Sequence, residues 1–507
     1  MAECRTRYET LNTNTEEGNP VNPNTPVIIG VSQILQRVAD LNDAKEPIDL
    51  MVQAAFKAAQ DCGKPGLLEE VESVRVVRGL WKYHQPAGYV AEKIGCSNAE
   101  LVGTCYGGNM VQSTLNATAV DIASGEKALV LLTGAEIGHS LAKARKNSQE
   151  LPMKETHGEY DRLIGQEEPM SGEAEVARSI RQPIQIYPIF ENALRHHQSE
   201  TIEEHQVKVS TMWAGFSQVA ARNPNAWIRE AVDATAIRTP GKTNRMVSFP
   251  YPKLMNSNNS VDMASAIMMC SVAKARELGV DESQWVYPWV GTDAHDTYTV
   301  SERDNLYSSP AIRIAGQRAL ELAGLCVDDL DFVDVYSCFP VAVQVAAAEL
   351  GLSLDRELTV TGGLTFGGGP LNNYVMHSIA RMVELLRDNP GKKGFVTANG
   401  GFLTKHAFGV YSTEAPKGDY KHENLQAEVD ACPTREWLVD YDGDVTIESY
   451  TVMFSGDEPA VGHFACLTPN GERTWANSSD PDILQEMQVT EYCGRAARID
   501  GAGNLTL

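Results

Sequence analysis

Two loops that each lead into an apolar helical run carry the residues best suited to chemistry. The first, TCYGGN, contains Cys105 and Asn109, and the second, DVYSCF, contains Tyr336 and Cys338. A tyrosine can donate a hydrogen bond or transfer a proton, but its ordinary pKa near ~10 means that it needs help to act as a base at neutral pH. The similar placement of the two loops suggests an internal duplication.

A third segment, ANGGFLTKHAFG, adds an amide and an imidazole. Asn399 can polarise a carbonyl group but cannot take up a proton. His406 is the residue of this set whose ordinary pKa suits proton transfer near neutrality. A single histidine also commonly serves as a structural hydrogen-bonding residue, and both interpretations of His406 are open. The Gly400, Gly401 turn before it favours a functional position.

The elements that must position these residues alternate between strands and helices. TPVIIGVSQI is a β-branched run that predicts a buried strand, and DLMVQAAFKAAQDCG has helical spacing and a glycine stop. The same alternation returns after residue 286. It predicts an α/β architecture with a mostly parallel sheet, built from two similar halves.

The sequence pattern changes twice along the chain. It first becomes charged and helical, without strand-like runs, and later shows short alternating strands with turns at DGD, PNGE and DGAG. We therefore expect a helical insertion between the halves and a small all-β domain at the end, most simply an OB-like barrel. The predicted boundaries are a disordered arm at 1–24, a first half at 25–146, the helical insertion at 147–245, a return to the first half at 246–285, a second half at 286–418 and the β domain at 425–507.

Composition limits the class of protein. The chain has 507 residues, 43% of them hydrophobic, which suits a globular protein of several domains. A formal net charge of -24 argues against nucleic-acid binding, which needs a basic face. No apolar run is long enough to span a membrane and the N-terminus lacks a signal-peptide core, so we expect a cytoplasmic protein. The 10 cysteines show no metal-ligand spacing, so no metal site is expected.

The chain resembles the thiolase superfamily, in particular the sterol-carrier-protein-x type and thiolase-like proteins with an extra C-terminal β domain. The resemblance covers about residues 25–415 and rests on the order and spacing of several segments. These are GYVAEKIG, the block from Cys105 to Glu136, SVDMASAIMMCS, DVYSCF, GGLTFGGGPLNN and ANGGFLTKHAFG. It implies the thiolase fold, two duplicated halves in a five-layered αβαβα arrangement, with the inserted helical loop domain and the OB-like domain added.

The resemblance also implies a set of catalytic positions, and this sequence differs at each one. The nucleophilic cysteine's place at a helix entry falls on Gly108, and the HDCF-type turn reads from Tyr336 to Phe339. The histidine of the GHP-type loop is replaced by Gly369, and the second cysteine by Asn399. Cys105 lies on the strand side of the entry, where it is either a packed thiol or a relocated nucleophile. Thiolysis by the family's route is therefore not expected.

The resemblance implies a coenzyme A thioester as substrate or ligand, and no tightly bound cofactor. Phosphate contacts would come from RTPGKTNR, which contains Arg238, Lys242 and Arg245, with Gly369 also near the ligand. A second basic cluster comprises Lys143, Arg145 and Lys146. Each basic residue could equally be a solvated loop residue. Family thiolases are usually dimers or tetramers, but the β tail could cover the dimer edge, so a monomer or a homodimer is expected.

Three functions fit these residues. The first is an acyltransferase of the thiolase superfamily, resembling acetyl-CoA acetyltransferases, in which Cys105 or Cys338 has become the nucleophile. The second is a lyase that cleaves 3-hydroxyacyl-CoA by retro-aldol chemistry through Tyr336, as related proteins with tyrosine at this turn do. Those proteins carry an acidic residue after the tyrosine, where this chain has Ser337. The third is a noncatalytic protein that binds a CoA thioester.

Overall fold

The computed structural model describes residues 21–507. Within this range the strands are β1 (Pro26–Leu35), β2 (Ser73–Val76), β3 (Glu100–Thr104), β4 (Leu129–Ile137), β5 (Arg162–Ile164), β6 (Met246–Ser248), β7 (Tyr251–Pro252), β8 (Asp262–Ser271), β9 (Tyr287–His295), β10 (Phe332–Asp334), β11 (Lys393–Gly400), β12 (Lys405–Ser412), β13 (Lys421–Asn424), β14 (Gly443–Ser455), β15 (Glu458–Leu467), β16 (Arg473–Ser478), β17 (Ala496–Ile499) and β18 (Leu505–Thr506).

The α-helices of the same range are α1 (Pro47–Asp61), α2 (Pro86–Ile94), α3 (Met110–Ala123), α4 (Gly138–Lys146), α5 (Glu173–Ala177), α6 (Pro183–His197), α7 (Ile202–Arg222), α8 (Ala234–Arg238), α9 (Val272–Glu277), α10 (Gln317–Ala323), α11 (Pro340–Leu350), α12 (Tyr374–Asp388), α13 (Gln426–Asp430) and α14 (Pro481–Glu486). Among residues 21–507, no helix combines the length and the apolar character that crossing a membrane requires.

Two sheets and three helical layers form the main body. The first sheet has the order β1-β8-β4-β2-β3-β5 and the second has the order β10-β11-β12-β9-β13. Helices α3 and α12 contact strands of both sheets and form the central layer, while α1 packs outside the first sheet and α10 outside the second. The predicted five-layered arrangement of two halves is therefore confirmed.

The prediction of a mostly parallel sheet is confirmed, although each sheet contains one strand that runs against the others. In the first, β4, β2, β3 and β5 run parallel, but β8 is antiparallel to β1 and β4. In the second, β12 is antiparallel to both β11 and β9. Strands β11 and β12 are joined by a short turn at 401–404, and a tight turn can only link antiparallel neighbours.

The stretch predicted as a purely helical insertion, 147–245, contains strand β5. Its three residues pair with β3 from Val102 to Thr104 and form the edge of the first sheet. A run this short carries no periodic pattern, so its pairing could not be predicted from the sequence. The helices α5 to α8 of the insertion otherwise match the helical prediction.

The C-terminal residues form a separate antiparallel sheet, as predicted for a small all-β domain. Its order is β16-β15-β14-β17-β18, and an isolated bridge between Asn477 and Asn504 connects its two ends. Strand β6 also pairs with β14, and Phe249 packs in the core of this domain. Strand β6 therefore belongs to this sheet, although it lies at the start of 246–285, the range predicted as a return to the first half. The sequence could not show this, because an isolated extended segment does not reveal its partner strand.

The predicted arm, 1–24, lies outside the described residues except for 21–24, and these four are ordered. The Asn22 side chain donates a hydrogen bond to Asp419 at 2.7 Å, and the carbonyl of Pro23 accepts from the Ala273 amide at 2.8 Å. Disorder was wrongly predicted for these residues, because their polar composition does not show the backbone partners that other parts of the chain supply.

Candidate functional site

A cavity of about 400 Å³ lies where the two halves and the insertion meet. The loop before α3, the turn between β10 and α11, and the carboxyl end of β11 contribute residues from the halves. Helix α6 and the segment before β8 close it. The lining residues are Tyr106, Gly107, Gly108, Met170, Gln182, Pro183, Ile184, Tyr187, Asn256, Ser257, Asn259, Tyr336, Cys338, Phe339, Leu364, Leu371, Asn372, Asn399, Gly400 and Gly401.

Gly108 and Tyr336 meet in this cavity. A Cβ atom at Gly108 would lie closer than 3.0 Å to the Tyr336 hydroxyl and to the carbonyl oxygen of Asn399. The phenol therefore fills the volume that a side chain at the helix entry would need. Burial holds the pKa of Tyr336 well above its usual value. At neutral pH this side chain can donate a hydrogen bond but does not supply a base.

Cys338 lines the cavity beside Tyr336, as the sequence predicted. Its sulfur accepts a hydrogen bond from Nδ2 of Asn399 at 3.7 Å. Burial raises the pKa of Cys338 to about 12. Because the thiolate is the nucleophilic form of cysteine, this thiol is poorly prepared for covalent catalysis.

Tyr187 of α6 completes this group and was missed in the sequence, where the insertion showed only a helical pattern. Its hydroxyl accepts hydrogen bonds from Asn399 Nδ2 at 3.0 Å and from the Leu403 amide at 2.9 Å. Its ring stacks on Phe339 with centroids 4.4 Å apart. Oδ1 of Asn399 is buried and accepts no hydrogen bond from any described residue. Asn399 therefore retains an unused acceptor.

His406 pairs with Asn399 across β11 and β12, but its ring is not in the cavity lining. Nε2 lies 3.1 Å from the Leu403 carbonyl oxygen and 3.6 Å from a carboxylate oxygen of Asp296. Burial raises the pKa of Asp296, but the Arg303 charge and a hydrogen bond from His406 hold it below its usual value. His406 is therefore part of a buried polar network. Of the two roles considered, proton transfer and structural hydrogen bonding, these contacts favour the structural one.

Cys105 and Asn109 lie near the cavity without lining it. The sulfur of Cys105 is 3.4 Å from that of Met110, and burial raises the pKa of Cys105. Asn109 occupies the position before α3 without a side-chain capping bond, and it donates from Nδ2 to the Ser113 hydroxyl at 3.3 Å. The structure therefore places Cys105 as a packed thiol.

The residues proposed to contact coenzyme A are also outside the lining. Arg238 ends α8 and donates to the Ser210 hydroxyl at 3.4 Å, while Lys242 and Arg245 are exposed. Gly369 is buried and donates its amide hydrogen to the Asn258 carbonyl at 3.0 Å. Gly369 thus holds in place the segment that supplies Asn259 to the cavity.

The second basic cluster lies at the end of α4. The Lys143 ammonium donates to the Ala39 carbonyl at 2.6 Å, and Lys146 is exposed. None of the cluster's three residues, Lys143, Arg145 and Lys146, lines the cavity. All three lie in the last turn of α4, where basic residues are favoured.

The lining is uncharged and combines polar side chains with a larger apolar surface. It contains no aspartate, glutamate, histidine, lysine or arginine from the described part of the chain. Burial raises the pKa of each of its titratable groups, which are Tyr106, Tyr187, Tyr336 and Cys338. Its amides are Gln182, Asn256, Asn259, Asn372 and Asn399. The asparagine-rich runs MNSNNS and PLNN supply three of these amides and are the signal from which the sequence could have indicated them.

A possible metal-ligand group lies elsewhere, where His196, Glu491 and Cys493 bring ligand atoms within 4.8 Å of one another. Arg195 already forms two hydrogen bonds with the Glu491 carboxylate, at 2.6 and 3.0 Å. Burial also raises the pKa of Cys493 well above its usual value. A guanidinium and a protonated thiol disfavour a cation at this position.

Comparisons with known families agree with this architecture. Residues 292–413 match the family described as thiolase C-terminal domain-like. Residues 424–504 match the additional C-terminal domain of thiolase-like protein type 1. An acetyl-CoA acetyltransferase of Methanocaldococcus jannaschii is 22% identical over 61% of this chain and 72% of its own length.

Two solved structures extend the comparison. The Ltp2-ChsH2(DUF35) aldolase superposes with a TM-score of 0.58 and 18% identity, covering 77% of this chain and 98% of its own. The monomeric SCP2-thiolase like protein type 1 from Mycobacterium smegmatis superposes with a TM-score of 0.83 and 30% identity, covering 96% of this chain and 100% of its own. This chain therefore belongs to the family of SCP2-thiolase-like proteins of type 1.

Proposed function

We propose that this protein binds the acyl end of a coenzyme A thioester in the cavity between its halves and performs no covalent chemistry on it. The observation that carries the proposal is the uncharged lining, in which no group ionises near neutral pH. Thiolysis needs a thiolate and a base, and retro-aldol cleavage needs a base. The residues that line this cavity provide neither.

The lining suits recognition of carbonyl and hydroxyl groups. Side-chain amides both donate and accept hydrogen bonds, and the phenol of Tyr336 donates one. Ile184, Leu364 and Leu371 add apolar surface for an acyl chain. A volume of about 400 Å³ falls within the range of small-molecule pockets.

We infer coenzyme A as part of the ligand because several relatives of this chain are named acetyl-CoA acetyltransferases. Arg238, Lys242 and Arg245 are the residues that we assign to its phosphates, and the exposure of Lys242 and Arg245 leaves them accessible. Buried thiols such as Cys62 and Cys270 are compatible with the reducing cytoplasm, which we retain as the proposed location.

The proposal is tested by calorimetric titration of the protein with acetoacetyl-CoA. Ile184→Trp adds bulk to the cavity wall and is expected to weaken binding by about tenfold or more, because it removes space for the acyl group. Val207→Trp is the matched control, since Val207 lies on α7 with 44% exposure and outside the lining. Equal binding by the two variants and the wild type would place the thioester elsewhere.

A retro-aldol lyase is the second candidate, favoured by the position of the Tyr336 hydroxyl against Gly108, where the family's nucleophile would stand. A protein described as an aldolase also shares the fold. The test is cleavage of a 3-hydroxyacyl-CoA without free coenzyme A. Cleavage by the wild type that is lost in Tyr336→Phe would establish the lyase, whereas no cleavage by either protein favours binding alone.

A further inference from the structure

A second and larger cavity, of about 580 Å³, shares no lining residue with the first. It lies between the loop that follows β2, the junction of β4 with α4, and the segment 151–157. Its lining residues are Pro47, Leu80, Trp81, Lys82, Tyr83, His84, Glu136, Ile137, Leu141, Leu151, Met153, Lys154, Glu155, Thr156 and His157. Its volume is that of a small-molecule site.

Glu136 is the buried charge of this cavity, with 5% of its surface exposed. One carboxylate oxygen accepts a hydrogen bond from the Leu80 amide at 2.8 Å. No other donor, and no cationic side chain within 4.0 Å, is recorded for this carboxylate among the described residues. A Cβ atom at Gly79 would lie closer than 3.0 Å to the bonded oxygen, so glycine leaves room for the carboxylate.

A buried carboxylate without a counter-ion is costly, and proteins normally pair such a group. Burial raises the pKa of Glu136 to about 7. Lys154 also lines the cavity, but Glu46 and Asp49 already hold its ammonium. Lys82, His84 and His157 line the cavity as well, but none of them forms an ion pair with Glu136. Among the described residues, ionised Glu136 therefore has no cationic partner.

Part of the remaining wall is apolar and aromatic. Trp81 and Tyr83 both line the cavity, with ring centroids 5.2 Å apart. Leu80 and Leu141 are 65% and 39% exposed, although large apolar side chains usually have less contact with water. These leucines line the cavity, so they offer apolar surface to a ligand.

We propose that this cavity binds a small molecule with an apolar body and one amino group, whose ammonium pairs with the carboxylate of Glu136. The ammonium supplies the missing counter-ion in a charge-assisted hydrogen bond. Aromatic side chains such as those of Trp81 and Tyr83 add a favourable environment for a cation. The aliphatic part of the ligand covers Leu80 and Leu141. This site is independent of the thioester cavity and of its proposed function.

The test is calorimetric titration of the full-length protein with n-octylamine, n-octanol and n-octanoate, which share one alkyl chain. We expect one-to-one binding of octylamine and weaker binding of the other two. Glu136→Gln is expected to weaken octylamine binding by about tenfold or more, as for loss of a charged hydrogen-bond partner. Glu155→Gln is the matched control, because its side chain is 89% exposed at the same cavity.

Unchanged octylamine affinity in Glu136→Gln, or octanol binding as tightly as octylamine, would overturn the assignment. Leu141→Trp provides a second variant in case Glu136→Gln does not fold, since it changes a partly exposed position at the mouth. It is expected to weaken octylamine binding by at least about tenfold while acetoacetyl-CoA binding is kept. Full octylamine affinity in this variant would also contradict the proposal.

Discussion

At the scale of single residues, Gly108 and Tyr336 are complementary. The phenol occupies the space where the family resemblance places a nucleophilic side chain, and only a residue without Cβ leaves that space free. Glycine at 108 and tyrosine at 336 are thus coupled in packing. The remaining cavity offers neutral hydrogen-bond donors and acceptors.

Gly108→Ala is expected to destabilise the protein by about 1–3 kcal/mol, because the added methyl overpacks a closely filled site. Tyr336→Phe removes one of the two clashing atoms, so the double variant is expected to recover part of the loss. Thermal unfolding of the four proteins measures the coupling. A Gly108→Ala variant with the wild-type unfolding temperature would show that the phenol does not fill this space.

Glu136 predicts a pH dependence of stability. Burial raises its pKa from 4.5 to about 7, so the folded state binds a proton more tightly than the unfolded state. Its contribution is therefore complete below pH 4.5 and declines as pH rises to 7, by about 3 kcal/mol in total. Relative to Glu136→Gln, the wild type is expected to lose thermal stability between pH 5 and pH 8. A constant difference between the two proteins across this range would contradict the shift.

At the scale of elements, helices and strands with a long apolar pattern could be predicted from the sequence, whereas some strands of two or three residues could not. Helix α3 and strand β4 have extended apolar patterns, whereas β5 and β6 have three residues each and are defined by their partners. Tyr336, Cys338 and Asn399 were placed in the cavity from motif positions. Tyr187 was missed because it comes from the insertion, whose docking on the cavity depends on tertiary packing.

Strand β16 joins the C-terminal sheet to the second half through Arg473, which is fully buried. Its guanidinium forms two hydrogen bonds of 2.7 Å with Glu448 and one of 2.8 Å with the Ser301 carbonyl. Arg473→Met is expected to cost about 3–5 kcal/mol, since it leaves Glu448 without its partner. Arg498→Met, at an exposed ion pair with Asp442, should change the unfolding temperature little. Equal effects of the two substitutions would refute this role for Arg473.

At the scale of the whole molecule, the insertion changes the edge of the first sheet. Strand β5 covers β3, so the backbone groups of β3 that an outside strand could pair with are already used. Of the two states considered, we therefore expect a monomer.

Light scattering after size-exclusion chromatography is expected to give the mass of one chain at micromolar concentration. The physical reason is that the strand at this edge, β5, has only three residues, and a very short edge strand is a poor template for a second copy. A concentration-independent mass of two chains would contradict the prediction and would place the dimer interface on another surface.

The most direct test of the central claim is to incubate the protein with acetoacetyl-CoA and free coenzyme A, and to follow every CoA species by mass spectrometry. An uncharged cavity predicts an unchanged thioester, together with a one-to-one complex in native mass spectra. Formation of acetyl-CoA at the expense of acetoacetyl-CoA and free coenzyme A would show thiolysis by a relocated nucleophile and would contradict the account.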